Sequence, residues 1–215
     1  MYDLLPHSVR DKFQAVNASS TITLLDEMGK LGYVSMKKLL MAFHFDYDWA
    51  IWMDAEAVAV RPFSIRQTID VYVQKPSLFH SRMAKNDAAW GIQKAGASIL
   101  GREINSFGIN YWTMESNTWI IEKAVMQDLF QWVEAAHGTD FWTAFLASGA
   151  QLHEGGKTWW PFEINLHSMH VHARKLETVD PMFLKYQVLE TERELIRFGM
   201  GESLSSGIDV WWYND

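Results

Sequence analysis

A chain of 215 residues with 48% hydrophobic and 21% charged content has the size and balance of one folded domain, here taken as 1–215. Its formal charge of -7, without any Lys/Arg run, excludes the clustered phosphate contacts of a nucleic-acid binder. The absence of cysteine removes disulfides, thiolate metal sites and thiol catalysis, while 11 Trp, 12 Phe and 7 Tyr supply rings for both core and pocket.

The opening MYDLLPHSVRDKF has no basic-then-apolar signal pattern, and no apolar run approaches the ~20 residues of a spanning helix. The expectation is a soluble, cytoplasmic protein with no transmembrane segment. In chain order, residues 21–25 (TITLL) read as a short strand and 33–43 as a helix with Val34, Leu39, Leu40 and Phe43 on one side. WAIWM (49–53) is a continuous apolar strand. Ser64 is placed to cap a helix running to Val73, and Pro76 ends it. SLFHS reads as a strand, 87–101 is ambiguous because Gly91 and Gly96 weaken a helix, and NTWII (117–121) is a strand. Residues 122–137 form the clearest helix, with Val125, Leu129, Trp132, Val133 and Ala136 at helical spacing and Gly138 closing it. Further helices are expected at 140–148, 160–169 and 181–198. Strands alternating with helices predict an α/β fold, a mostly parallel sheet flanked by helices with a helical C-terminal part.

Within D48-WAIWMDAEAVAV-R61, Asp54 and Glu56 stand two apart where the WAIWM strand runs out. Alternation along a strand would put both on one side. Buried carboxylates need positive partners, and two acids at a strand end suit a hard cation such as Mn2+ or Mg2+, whose other positions go to water and phosphates. The plain alternative is an exposed turn with solvated acids.

The stretch DYDWAIWMDAEAVAVRPFS resembles the strand and D-x-D metal motif of GT-A glycosyltransferases, here Asp54-Ala55-Glu56, with Glu in place of the usual second Asp and a shorter stretch before it than the family's base-gripping unit. WTMESNTWIIEKAVMQDLF (112–130) resembles the family's second block, a polar turn entering a strand and then a helix; the two blocks span about residues 33–135. The resemblance implies a GT-A-like (Rossmann-like) domain that moves a sugar from a nucleotide-sugar donor, a UDP- or GDP-sugar, to a carbohydrate or other hydroxyl acceptor. It further implies that Asp54 and Glu56 bind the cation, that Lys37 or Lys38 faces the donor, that Ser116 and Asn117 hold the donor-side turn, and that Glu115 contacts sugar or acceptor. A late histidine, His167 or His170, would complete the cation's ligands.

Glu163, opening the helix after W159-WP, is a candidate base for an acceptor hydroxyl, or equally a first-turn acid favoured by the helix dipole. His167, His170 and His172 do not share one face of any regular element, which argues against a separate three-His site. Phosphate loops and serine elbows are absent. Two other readings stay open: a nucleotidyltransferase, which also uses paired acids, and a degenerate sugar- or partner-binding module without turnover.

Overall fold

The computed structural model describes residues 29–53, 62–82, 87–104, 111–112, 118–151, 153–154 and 157–190. The elements in chain order are α1 (Gly29–His44), β1 (Trp49–Met53), α2 (Ile65–Gln74), β2 (Ser77–Arg82), α3 (Asp87–Ile99), β3 (Tyr111–Trp112) and β4 (Thr118–Glu122). They continue with α4 (Lys123–His137), α5 (Phe141–Gln151), β5 (His153–Glu154), β6 (Lys157–Thr158), α6 (Glu163–Glu177), α7 (Pro181–Leu184) and β7 (Gln187–Glu190). The predicted strand at 21–25, the Glu115–Asn117 turn and the acids Asp54 and Glu56 lie outside the described residues.

The local rules hold where they were sharp. Ser64 caps α2, its side chain accepting from the Gln67 N–H at 3.2 Å. Gly138 closes α4 in the left-handed conformation, φ 64°, and its N–H donates to the Glu134 carbonyl at 2.9 Å. Asp140 starts α5 by accepting from the N–H groups of Trp142 and Thr143.

The ambiguous 87–101 stretch is helical, and its glycines are there for contact. A Cβ on Gly91 would meet the Trp159 ring at 2.2 Å, and one on Gly96 the Met169 sulfur at 2.9 Å. The helix accepts the lower propensity because α3 must lie tight on the chain around α6.

The assembly of these elements corrects the expected parallel α/β sheet. The described residues are mostly helical, and their strands form three small sheets ordered β1-β4, β3-β2-β7 and β5-β6, with no extended parallel sheet among them. WAIWM and TWIIE do lie side by side, but antiparallel, pairing Trp49 with Glu122 and Met53 with Thr118. Most of the apolar stripe of α4 (Met126, Leu129, Phe130, Val133) packs on α1, α5 and α6, while Val125 joins Leu78 of β2, Val171, Phe183 and Tyr186 in a second cluster. A helix stripe is indifferent to whether its partner is a sheet or another helix, and here five helices bury one another.

The predicted 181–198 helix stops after the four residues of α7. There Tyr186 turns fully inward and 187–190 pairs parallel to β2, with the Gln187 N–H on the Pro76 carbonyl at 2.8 Å.

The core collects α1 (Met36, Leu39), α4, α5 (Phe141, Phe145) and α6 (Ile164, Leu166, Met169). Each such fully buried side chain contributes on the order of 1.5–3 kcal/mol. Phe130 and Phe141 meet edge to face at 4.5 Å and Phe145 lies 5.7 Å from Trp160, so much of the aromatic content is core. Among the described residues, no helix is long and apolar enough to cross a membrane.

Candidate functional site

A cleft of about 470 Å³ opens between α1 and β1. One wall comes from α1 and its exit: Lys38, Met41, Ala42 and Phe45 recur at i, i+3, i+4 and i+7, which places them on one face. The other wall is β1, ending at Met53. Large apolar side chains stay exposed here, Met41 at 51% and Phe45 at 55%.

Among the described residues, three polar side chains reach the cleft, and all are engaged. Tyr47 donates its hydroxyl to the Ala42 carbonyl at 3.3 Å, and burial pushes its pKa up to about 12. Asp46 pairs with Lys123 at 2.8 Å, and that ammonium holds its carboxyl below the usual range. Lys38 Nζ lies 2.8 Å from Glu163 Oε1 as an ion pair, off the line of a hydrogen bond.

The Lys38–Glu163 pair is the centre of the site. Glu163 is fully buried at the start of α6, and its other oxygen accepts from Ser35 Oγ at 2.6 Å. Lys38 remains 21% exposed, with the rings of Trp119 and Phe162 at 5.5 and 5.9 Å from its ammonium. A carboxylate this deep is tolerated because an ammonium, a hydroxyl and the α6 N-terminus all face it. Two expectations sharpen here. Of the two lysines, Lys38 lines the cleft while Lys37 stands exposed over the Tyr33 ring at 4.9 Å. Glu163 sits in the first turn of α6, but its burial and its two partners make it the residue that positions Lys38, not a base open to an acceptor.

The histidines diverge along the same helix. His170 Nε2 is 2.7 Å from Asp128, which also takes the Arg174 guanidinium at 3.1 Å. Burial lowers the His170 pKa despite the hydrogen bond and charge of Asp128, whose carboxylate accepts from Nε2–H. Burial alone would raise the Asp128 pKa, but the hydrogen bond from His170 and the pairing with Arg174 outweigh it and leave the group below its ordinary value. Arg174 and Arg102 both lie over Trp132, at 5.1 and 4.8 Å, and Arg102 pairs with Glu177.

His167 is sealed, 2% exposed with Nε2 unpartnered among the described residues, and burial, with the nearby His170, drives its pKa down to about 3. Among the described residues, no three His, Cys, Asp or Glu side chains gather to hold a metal ion. His170 is committed to Asp128 and His167 is sealed, and the Asp54–Glu56 pair that one of them was expected to complete lies outside the described residues. Asp54, Ala55, Glu56, Glu115, Ser116 and Asn117 lie outside the described residues.

Sequence reasoning missed Ser35, Trp119, Asp128 and Arg174. Two of these had a signal: Ser35 is three residues before Lys38, and Arg174 four after His170, each a same-face helical spacing. Trp119 and Asp128 come from other elements, and nothing local announces them.

No family model matches the chain, and neither a curated protein nor a solved structure matches it.

Proposed function

We propose that the chain is a metal-dependent glycosyltransferase, moving a sugar from a UDP- or GDP-sugar to a hydroxyl acceptor, with the α1–β1 cleft as its substrate site. One observation carries the reading. The cleft runs along β1 to Met53, the residue before the Asp54-Ala55-Glu56 motif, and the register partner of Met53 is Thr118, the residue after the Glu115–Asn117 block. Antiparallel pairing thus brings the described ends of both blocks to one end of a two-stranded ladder beside the cleft. Lys38 adds a cation on the cleft wall, held there by Glu163 and Ser35.

In this reading Asp54 and Glu56 hold Mn2+ or Mg2+, which would neutralise charge on the leaving diphosphate. Lys38 supplies a second positive charge. The expected parallel sheet is no part of the proposal.

A second reading, a sugar- or ligand-binding module without turnover, is favoured by the burial of Glu163, which removes the candidate base among the described residues. A panel of nucleotide-sugars assayed for nucleotide release with and without Mn2+ separates the two. Metal-dependent release of one diphosphate supports transfer, binding without release supports the module, and neither binding nor release contradicts the transferase reading.

A further inference from the structure

The composition of the cleft says what its occupant is made of. A sugar brings several hydroxyls, each needing a donor or acceptor once desolvated. Among the described residues the cleft presents three polar side chains; the Tyr47 hydroxyl and the Asp46 carboxylate already answer to Ala42 and Lys123, and Lys38, paired with Glu163, keeps part of its ammonium exposed. What it offers generously is apolar surface, from Met41, Phe45, Ile51, Trp52 and Met53. Half-exposed apolar side chains gathered along one cleft mark a place where something apolar binds.

Its geometry is linear and polarised. From Lys38 to Phe45 the α1 face runs seven residues, roughly 10 Å along the helix axis. A partly exposed ammonium stands at the Lys38 end, and half-exposed Met41 and Phe45 continue away from it. The cleft's volume of about 470 Å³ suits a small ligand more than a protein segment.

We propose that the cleft binds the alkyl or prenyl chain of an amphiphilic acceptor, its polar head towards Lys38 and its chain along Met41 and Phe45. This rests on the transferase reading for the word acceptor; the apolar-chain site itself stands on the cleft alone. Sugar transfer would then act on a lipid-linked hydroxyl or phosphate.

The test uses methyl, butyl, hexyl and octyl β-glucoside below their micelle concentrations, titrated into the full chain without nucleotide or metal and followed by tryptophan fluorescence. Affinity is expected to rise about two- to fourfold per added methylene. Met41→Gln with Phe45→Gln, both at exposed positions that the fold tolerates, should remove at least tenfold of the octyl affinity. Equal binding of methyl and octyl glucoside would overturn the proposal, as would a chain-length dependence that survives the double variant. Binding to phosphatidylcholine vesicles without binding of monomeric octyl glucoside would show a membrane contact instead. A dimer dissociated by the double variant would show that a second copy covers the cleft. Chain-length-dependent binding in a protein that ignores UDP and GDP with Mn2+ would sustain this site while removing the transferase reading.

Discussion

Helix α6 buries Glu163, Asn165, His167, Ser168 and His170, while α2, with Ile65, Ile69, Val71 and Val73, buries none of its ten residues. Both helices are well formed, so the difference is one of place. Helix α6 runs through the middle of the bundle, touched by α1, α3, α4 and α7, whereas α2 lies at the side of β1, with Trp49 against Tyr72 at 6.0 Å and the Tyr72 hydroxyl donating to the Ser77 carbonyl at 3.1 Å. In this central helix two of the buried polar residues have charged or hydroxyl partners, Lys38 and Ser35 for Glu163 and Asp128 for His170, while His167 is held neutral by burial. The interior of α6 is therefore organised by charge, and substitutions there should act far more strongly than on α2.

The largest effect should come from stranding the buried acid. Lys38→Met leaves Glu163 without its cation and should cost about 3–5 kcal/mol of stability, read by urea unfolding. Joining it with Glu163→Met should recover most of that loss, because two apolar side chains then replace a pair. A single variant within about 1 kcal/mol of the parent would show that the pair is not buried as described.

Acid should weaken the α6 interior next. His167 has a folded pKa of about 3 against an unfolded value of about 6.5. Between those values the unfolded chain binds the proton and the folded chain does not, so stability falls as pH drops and rises as pH climbs. The lowered His170 pKa acts in the same sense. From pH 6.5 to 5 the His167 share is about 2 kcal/mol. His167→Gln should flatten the slope by about one proton, and an unchanged slope would place His167 in water.

On α2 the smallest effect is expected. Val71 is 51% exposed, and Val71→Ser should shift stability by no more than about 0.5 kcal/mol. A loss several times larger would mean that α2 is covered by something and that its contrast with α6 is only partial.

The same contrast explains what was legible in the sequence. The α2 cap at Ser64, the α4 stop at Gly138 and the strands at 49–53 and 118–122 are local events, set by residues a few positions apart. The direction in which β1 and β4 pair, and the choice of helix over sheet as the partner of α4, are decided by contacts many residues away. Glycines 91 and 96 read as weak points because Trp159 and Met169, which need them, are more than 60 residues on. At the site, Lys38 and Glu163 were each visible as single candidates, but their pairing across 125 positions was not.

Titration calorimetry of UDP and GDP in the presence of Mn2+, on the parent chain and on Asp54→Asn and Glu56→Gln, tests the proposed activity most directly. One nucleotide should bind the parent in a metal-dependent manner, and each variant should weaken that binding at least tenfold while its unfolding transition stays unchanged. Binding of equal strength in parent and both variants, or no binding of either nucleotide to the parent, would contradict it.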